Sequence, residues 1–314
     1  MEKMNVKDCA KLLLTHENIL IVTHKNPDGD TASSAAALCS ALRRGGRTAW
    51  LFPNGQIGEK LLRFVGQYFA PADFKPKFTV SVDTADVKLL SRGFEGRVDL
   101  CIDHHPSNTG YAAQSFVQPE RASCAEIVME IIRSMNGGLT QEEATLLYIG
   151  LSTDTGCFQY SNTDAAAFFA ASELMLDGAD NALVNTIFFR KVSPARLRLE
   201  SLIFAGLRFY REGKIAVATV TREMLRQAGT DEDDLDDLAG LPGRAEGSVV
   251  NITIRELDDG GCKISVRSTR EVNSSEICAV FGGGGHSMAA GCTILATPER
   301  ARELLLNVVD EVWK

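Results

Sequence analysis

The chain has 314 residues, a length that suits two domains better than one. Hydrophobic residues make up 45% and charged residues 24%, which is the balance of an ordinary globular protein. The formal net charge of −8 argues against a broad basic surface that grips long nucleic acid. No apolar run reaches the ~18 residues that a membrane-spanning helix needs.

Residues 1–14 alternate charged and apolar positions without a small-residue cleavage site, so they predict an amphipathic helix rather than a signal peptide. Eight cysteines are scattered without a Cys-x-x-Cys pair, which indicates reduced thiols and argues against a cysteine-based zinc site. The acidic run 231–237 predicts a solvated surface. Together these features predict a cytoplasmic protein without a membrane partner.

The first half of the chain alternates strand signals with helix signals. Short apolar or β-branched runs predict strands at 19–24, 48–52, 78–83 and 98–103. Longer segments rich in helix formers predict helices at 31–46, 122–138 and 140–156. This alternation predicts an α/β domain with a doubly wound, mainly parallel sheet.

The second half has a different pattern. Residues 193–210 predict a helix that bridges two units, and 248–269 alternate with period two around Asp259-Gly260-Gly261, which is a hairpin signal. A glycine-rich segment at 281–291 follows, and residues 297–313 predict a closing helix. We therefore predict a first domain at 1–188, a linker with the start of a bridging helix at 189–200, and a smaller α/β domain at 201–314. A cleft is expected between the two domains.

Acidic and imidazole side chains follow three of the predicted strands. They are His24, Asp28 and Asp30 after the first, Asp83 after the third, and Asp103, His104 and His105 after the fourth; Asp154 follows near the end of a predicted helix. The carboxyl ends of parallel strands share one edge, so these side chains are expected along a common crevice. Each motif alone could be an ordinary turn or helix cap. Several such motifs at the same edge of the predicted sheet favour a shared site.

This set of side chains suits a metal centre. Oxygen-rich sites with imidazole and without cysteine favour Mn²⁺, Mg²⁺ or Fe²⁺ over structural zinc. Four aspartates and two histidines are more than one ion needs, and their number fits two ions that share a bridging carboxylate. Two ions ~3.5–4 Å apart can clamp a phosphoryl group and generate hydroxide near neutral pH.

The order and spacing of these motifs resemble the DHH phosphoesterases. The matching segments are His24-Lys25-Asn26-Pro27-Asp28-Gly29-Asp30, Asp83, Asp103-His104-His105 and Asp154-Thr155-Gly156. The second half resembles the substrate-binding domain associated with DHH domains, through Val266-Arg267-Ser268 and Gly283-Gly284-Gly285-His286, followed by Ala289-Ala290-Gly291. The resemblance spans nearly the whole chain, and its layout is most similar to the nanoRNase/pAp phosphatase branch.

The resemblance implies a role for each residue of the first domain. One manganese ion would be held by His24, Asp28 and Asp83, and a second by Asp30, Asp83, His104 and Asp154. Asp83 would therefore bridge the two ions, for which magnesium and iron are the alternatives. His105 would not be a ligand but would approach the scissile phosphate. Asp103 would orient a histidine by a hydrogen bond.

In the second domain, the resemblance assigns substrate binding to Arg267, Ser268, Gly284, Gly285 and His286. Arg267 and His286 would contact a terminal phosphate or a base, and the glycines would let backbone N–H groups approach an anion. Relatives often have a basic residue after this histidine, where this chain has Ser287 and Met288. Arg267 and Arg270 would then carry more of the phosphate binding.

The expected function is a two-metal phosphoesterase. Its substrates would be very short RNA of two to about five nucleotides and 3′-phosphoadenosine 5′-phosphate (pAp), as the family resemblance implies. Hydrolysis of cyclic-di-AMP or linear pApA is the main alternative. A single-strand exonuclease and a non-catalytic nucleotide-binding protein are further alternatives. A homodimer is left open.

Overall fold

The computed structural model describes residues 4–230, 233–235 and 238–313, so residues 231, 232, 236 and 237 of the predicted acidic surface lie outside the described residues. The chain divides into two compact units, with the boundary between Lys191 and Val192. This boundary falls within the linker predicted at 189–200. Each unit has a hydrophobic core of its own.

Unit 1, the part before this boundary, contains a five-stranded sheet. The strands are β1 (Ile19–Val22), β2 (Ala49–Leu51), β3 (Phe78–Val82), β4 (Leu100–Asp103) and β5 (Gln114–Val117). Their order is β2-β1-β3-β4-β5, and every neighbouring pair is parallel. The prediction of an α/β fold with a parallel sheet is confirmed.

Within the described residues of unit 1, seven α-helices connect and cover these strands. They are α1 (Val6–Thr15), α2 (Gly29–Arg44), α3 (Glu59–Val65), α4 (Cys124–Asn136), α5 (Gln141–Asp154), α6 (Ala165–Leu176) and α7 (Asn181–Asn185). On one face of the sheet, Ile19 and Ile21 belong to the core that these helices share. On the other face, Leu20 and Val22 pack with Leu90 of a connecting segment. Both faces of the central strands are therefore buried, as a continuous apolar strand requires.

Unit 2, the part from Val192 onwards, is a mixed α/β unit. Its helices are α8 (Pro194–Ala205), α9 (Arg222–Ala228), α10 (Ser274–Ala279) and α11 (Pro298–Val312). Its strands are β6 (Arg208–Tyr210), β7 (Ile215–Val220), β8 (Val250–Glu256), β9 (Cys262–Ser268), β10 (Gly284–His286) and β11 (Ala289–Ile294). They form one sheet in the order β10-β11-β9-β8-β7-β6, in which only β7 and β8 are parallel.

One local prediction differs from the structure, and a segment without a predicted conformation is now defined. The helix predicted over 193–210 ends at Ala205, and residues 208–210 form the edge strand β6 after Gly206. The glycine-rich segment at 281–291 is largely an antiparallel hairpin of β10 and β11. Of the helices in the described part of the chain, none combines the length and apolarity that a membrane crossing requires.

Candidate metal centre and substrate-binding row

The candidate metal centre lies along the carboxyl edge of the parallel sheet in unit 1. His24 lies two residues after β1, Asp83 follows β3 directly, and Asp103 is the last residue of β4. β1 and β3 are neighbours at the point where the strand order reverses. Ligands of open α/β sheets bind in the crevice at such a point. The topology therefore brings these three predicted positions to one edge.

Two glycines let α2 and α5 pack closely enough to bring a fourth predicted position to this edge. A Cβ atom at Gly29 would lie 2.2 Å from the Oγ1 of Thr153, and one at Gly150 would lie 2.7 Å from the Oδ1 of Asp30. A larger residue at either position would force the helices apart. Asp154 ends α5 one residue after Thr153, so this packing places its carboxylate at the edge.

Asp83 and His104 lie at the centre of the cluster. The Nε2 of His104 is 3.4 Å from the Oδ1 of Asp83 and 3.7 Å from the Oδ2 of Asp154. The Nδ1 of His105 is 3.5 Å from the same Oδ1 of Asp83. On the other side, the Nε2 of His24 is 3.7 Å from the Oδ2 of Asp28.

The described residues form three groups whose ligand atoms lie within 4.8 Å of one another. They are Asp83 with His104 and His105, His24 with Asp28 and Asp83, and Asp30 with His104 and Asp154. All six residues that the sequence predicts as metal ligands occur in these groups. His105, predicted to face the phosphate instead, also occurs in one of them, so the division of roles between the two histidines stays a prediction.

Asp83 has the features expected of a bridging ligand. It is buried, and its backbone lies in the left-handed region with φ 54°, which aspartate tolerates better than most residues. The hydroxyl of Thr31 donates a hydrogen bond to its Oδ2. Its Oδ1 is buried and receives no hydrogen bond from the residues that the structure describes. A buried carboxylate oxygen without a donor is costly unless a cation binds it, so this donor set fits a divalent metal ion.

Asp30 is held at the start of another helix. Its carboxylate accepts backbone N–H groups of Cys124 at 2.6 Å and Ala125 at 2.9 Å, the first residues of α4, and the Ser34 hydroxyl at 3.0 Å. The N-terminus of a helix favours a carboxylate because the N–H groups there lack partners. Asp30 thereby ties α4 to the metal centre through a contact between residues distant in sequence.

His104 is oriented by the backbone of residue 121. The Nδ1 of His104 donates to the carbonyl oxygen of Arg121 at 3.1 Å, because a carbonyl can only accept. In the neutral imidazole, the Nε2 that faces Asp83 and Asp154 is then the atom with the free lone pair. This is the tautomer that a metal ligand needs.

His105 is hydrogen-bonded to Asp103, the acid for which the sequence analysis expects an orienting role. The Nδ1 of His105 lies 2.8 Å from the Oδ1 of Asp103, and the amide of Asn108 donates to the Oδ2 of the same carboxylate at 2.6 Å. Backbone N–H groups of His104 and His105 also donate to the Oδ1. This leaves the Nε2 of His105 available, and its side chain is 42% exposed.

Burial and neighbouring charge shift several pKa values in the cluster. Burial raises the pKa of Asp154 to about 7, with the charges of Asp83 and Asp28 adding to the effect against the opposing charge of His104. Burial also raises the pKa of Asp30 well above its usual value. For His104, burial acts in the opposite direction, but the adjacent carboxylate of Asp83 and the charges of Asp30 and Asp154 raise the pKa to about 10. The cluster therefore holds protons that a bound cation would displace.

Four anchoring groups of this centre escaped the sequence analysis. They are the hydroxyls of Thr31 and Ser34, the amide of Asn108 and the backbone carbonyl of Arg121. Asn108 lies three residues after the Asp103-His104-His105 motif, and this closeness was the one signal that the sequence offered. The other three are ordinary residue types whose role depends on long-range packing.

The substrate-binding residues predicted in unit 2 lie in one row across its sheet. Arg267 on β9 pairs with Ala289 on β11, and Ala289 pairs with His286 on β10. Residues paired in register across antiparallel strands project to the same face, so Arg267 and His286 share a face. Both are exposed. Within the part of the chain that the structure describes, the Arg267 guanidinium makes no ion pair and donates only to the carbonyl of Val266 at 3.2 Å.

The other predicted residues of this row have structural roles as well. The hydroxyl of Ser268 lies 2.6 Å from the carbonyl oxygen of Val272 and 2.8 Å from the hydroxyl of Ser274, so it closes the turn after β9. Gly285 has φ 148°, and a Cβ atom there would lie 2.5 Å from the carbonyl oxygen of Ala289. A Cβ atom at Gly284 would have nothing within 4 Å of it. Gly285 is thus required by the hairpin itself, whereas Gly284 leaves room beside the backbone.

A parallel sheet with acids and imidazoles along its carboxyl edge defines a class of metal-dependent hydrolases. Residues 18–151 match the model of the DHH family, N-terminal domain, and residues 212–314 match that of the DHHA1 domain. The bifunctional oligoribonuclease and PAP phosphatase NrnA of Thermus thermophilus is 33% identical over 99% of this chain and 94% of its own length. The chain belongs to the DHH family of metal-dependent phosphoesterases.

The chain is also similar to one solved structure and to one further relative. The crystal structure of an exopolyphosphatase-related protein from Bacteroides fragilis has a TM-score of 0.87, with 23% identity over 98% of this chain and 96% of that one. This likeness supports the fold alone. The cyclic-di-AMP phosphodiesterase GdpP of Geobacillus thermodenitrificans is 25% identical over 97% of this chain, which spans 49% of that protein.

Proposed function

We propose that this chain hydrolyses very short oligoribonucleotides to mononucleotides and 3′-phosphoadenosine 5′-phosphate to AMP. The observation that carries the proposal is the buried Oδ1 of Asp83, which lacks a hydrogen-bond donor among the described residues and has imidazole nitrogens at 3.4 and 3.5 Å. The relative from Thermus thermophilus, whose name states both activities, supports the choice of substrates.

The proposed metal ligands follow the groups of nearby side chains. His24, Asp28 and Asp83 would hold one divalent cation, and Asp30, Asp83, His104 and Asp154 would hold a second. Manganese is proposed for both positions, with magnesium or iron as alternatives, because the donors are oxygen and imidazole. Such cations supply positive charge to phosphoryl oxygens and acidify water.

The remaining residues of the centre would act on the substrate. Asp103 keeps the Nδ1 of His105 as a hydrogen-bond donor, which leaves the exposed Nε2 for the phosphate. A protonated Nε2 would donate to a phosphoryl oxygen and transfer its proton to the leaving oxygen. Burial by itself would raise the pKa of Asp103. The hydrogen bonds from His105 and Asn108 outweigh that effect and hold the pKa below its usual value, so Asp103 stays ionised for this task.

Unit 2 would bind the nucleotide portion of the substrate. Arg267, His286 and Gly284 offer a guanidinium, an imidazole and an open backbone position in one exposed part of the sheet. A guanidinium is well suited to bidentate contacts with a phosphate. Ser268 and Gly285 would support this row through the turn and the hairpin. A cytoplasmic location is proposed because the eight cysteines are free thiols.

Cyclic-di-AMP or pApA hydrolysis is the second candidate function. The observation that favours it is the similarity to GdpP, a cyclic-di-AMP phosphodiesterase. The same metal centre would serve either substrate, so the distinction depends on how the nucleotide is bound.

A substrate panel tests the proposal directly. Purified protein, freed of metal and then loaded with Mn²⁺, would be assayed with pAp, pApA, a three-nucleotide RNA, a long RNA and cyclic-di-AMP. We expect turnover of pAp and the short RNA, with little of the long RNA. Preference for cyclic-di-AMP would favour the second candidate. Absence of turnover on every substrate, with metal bound, would contradict a phosphoesterase of this specificity.

A further inference from the structure

The turn that follows α5 has an unusual backbone and lies next to a proposed metal ligand. Helix α5 ends at Asp154. In the turn after it, Gly156, Cys157 and Phe158 all have left-handed conformations, with φ values of 56°, 56° and 63°. This conformation is costly for a side chain as large as phenylalanine, and backbone strain of this kind is concentrated at functional sites. The turn is therefore a candidate part of the active site.

Hydrogen bonds fix the position of Tyr160 at the end of this turn. The carbonyl oxygen of Thr155 accepts the backbone N–H groups of Gln159 at 2.9 Å and Tyr160 at 3.0 Å. The side-chain amide of Asn162 donates to the carbonyl oxygen of Asp154 at 3.1 Å. A position that is already fixed loses little conformational entropy when a ligand binds to it.

The ring of Tyr160 lies flat on Gly156. A Cβ atom at Gly156 would lie 2.6 Å from the Cε2 of Tyr160 and slightly closer to its Cε1 and Cζ. A point almost equally far from these three ring carbons lies above the face of the ring and not at its edge. One face of the ring therefore covers the glycine. Because Tyr160 is 55% exposed, the opposite face is the main surface that the ring presents to water.

The neighbouring Phe158 is packed within unit 1 instead. Its ring stacks on that of Phe168 with centroids 5.3 Å apart, and its centroid is 6.2 Å from that of Tyr148. Tyr160, in contrast, presents an aromatic face to a ligand. Every nucleobase has a π-face that stacks on such a ring, and this stacking tolerates different base sequences.

The two proposed substrates differ in the number of bases near the scissile phosphate. pAp contains one nucleoside, and its scissile phosphate has no nucleoside on the other side. A short RNA has a nucleoside on each side of the scissile phosphate. The row on unit 2 is proposed to bind one nucleotide, so the second nucleoside of an RNA needs a binding residue of its own.

We propose that Tyr160 stacks on the base of this second nucleoside and thereby favours short RNA as a substrate beside pAp. The inference rests on the proposed function, because it concerns the substrate of the same metal centre. Gly156 lies two residues after Asp154, so their Cα atoms are at most about 7.6 Å apart. Since only a ribose separates a nucleobase from its phosphate, a base reaches this ring while the phosphate lies at the metal ligands.

Steady-state kinetics with pAp and the dinucleotide RNA pApA test the proposal. Tyr160→Ala should raise KM for pApA by about 5- to 100-fold, the range expected for loss of one stacked base. KM for pAp should change by less than about 2-fold, because pAp has no second base. Tyr160→Trp restores an aromatic face and should keep KM for pApA near the wild-type value. Phe209→Ala is the matched control, since Phe209 is an aromatic residue of unit 2 that is 52% exposed; neither KM should change.

Dinucleotides that lack one base test the contact itself. Analogues of pApA with each base removed in turn would be assayed with the wild-type and Tyr160→Ala proteins. For the analogue without the stacked base, the wild-type protein should already show the raised KM, and Tyr160→Ala should add no further increase, since both changes remove the same contact. Additive effects for both analogues would overturn the proposal. An equal rise in KM for pAp and pApA, or no rise for either, would do the same.

A binding measurement separates this proposal from the proposed function. Stacking quenches the fluorescence of 2-aminopurine, so pApA with 2-aminopurine in place of each base in turn would be mixed with the Mn²⁺-loaded protein in a stopped-flow instrument. Before hydrolysis, the wild-type protein should quench one of the two probes more strongly than the Tyr160→Ala protein does. Equal quenching of both probes by the two proteins would contradict stacking on Tyr160. Absence of hydrolysis of both pAp and pApA would contradict the proposed function alone, because the fluorescence signal does not depend on turnover.

Discussion

The metal centre of unit 1 and the Arg267–His286 row of unit 2 are built in opposite ways. Asp30, Asp83 and Asp103 are buried and held by hydrogen bonds, which for Asp30 and Asp83 come from elements distant in sequence. Arg267 and His286 are exposed and depend only on strand register for their positions. A metal centre needs ligands held in place before the ion arrives, whereas a phosphate can be met by mobile side chains. The difference suggests chemistry in unit 1 and substrate affinity in unit 2.

The largest expected effect comes from Asp83, the proposed bridging ligand. Asp83→Asn keeps the shape and tolerates the left-handed backbone, but it removes the charge that two cations would share. We expect a loss of turnover by about 10³-fold or more, together with loss of bound metal. Metal content by mass spectrometry and turnover of pAp would be measured on the same sample.

The control for this substitution is Asp86→Asn. Asp86 lies three residues after Asp83 and is in none of the potential metal groups. Its side chain accepts a hydrogen bond from the backbone N–H of Lys88 at 2.8 Å. Asp86→Asn therefore removes one negative charge near the site without removing a candidate ligand. It should keep its metal and most of its activity. Full metal occupancy in the Asp83→Asn protein would show that the bridging role is assigned to the wrong residue.

The two adjacent histidines provide the next comparison. His104→Ala should lose metal and turnover together, whereas His105→Ala should lower kcat by about 10²–10⁴-fold and keep its metal. Metal titration and steady-state kinetics distinguish these patterns. Because His105 also lies in a potential ligand group with Asp83, a His105→Ala protein that loses its metal would make His105 a ligand instead.

A smaller effect is expected in unit 2. Arg267→Ala should raise KM for pAp by about 10-fold with little change in kcat, because it removes a charged phosphate contact from an exposed site. Lys263→Ala is the control, as an exposed cation four residues earlier on the same strand. Arg270→Ala should raise KM for pAp by less than Arg267→Ala and by more than Lys263→Ala. A fall in kcat without a change in KM would place Arg267 in the chemistry rather than in binding.

The smallest effect concerns the pH dependence of the metal-free protein. The pKa of Asp154 is about 7 in the folded chain against an ordinary 3.8, so the folded state binds more protons between these values. The stabilisation by Asp154 is fully present below pH 3.8 and is lost as the pH rises through about 7. Between about pH 5 and pH 8, Tm in the presence of EDTA should therefore fall by roughly 3–6 °C.

Two comparisons check the source of that slope. Asp154→Asn should flatten it, and added Mn²⁺ should raise Tm more at the higher pH, where fewer protons compete for the ligands. Differential scanning fluorimetry across a pH series is sufficient. An unchanged slope in the Asp154→Asn protein would assign the pH dependence to other groups.

Much of unit 1 could be predicted because its central strands are continuous apolar runs that end in chemically distinctive residues. β5 escaped prediction because Gln114–Val117 is short and only Phe116 in it is buried. The sequence predicts a helix through the residues of β6, because these three residues follow a segment with helical composition. Strand pairing depends on tertiary contacts, which a propensity argument does not include.

The candidate metal ligands could be predicted because turns and helix caps do not readily explain why aspartate and histidine occur together at the ends of several strands. The anchors could not, because Thr31 and the carbonyl of Arg121 acquire their roles only when distant segments meet. The exposure of Phe168, Phe169 and Leu176 on α6 was not predicted either, since the run of alanine, phenylalanine and leucine in this helix resembles a buried helix in sequence. Only the fold shows that these side chains face outward.

The left-handed backbone at Asp83 limits how this lineage can change. Glycine, asparagine and aspartate are the residues that adopt such a conformation readily, and aspartate alone among them adds a negative charge. The backbone therefore accepts few substitutions of Asp83. A related protein that retained the fold and lost catalysis would be expected to have asparagine or glycine at this position. The identity of this single residue would then serve as a marker of whether a related sequence is still an enzyme.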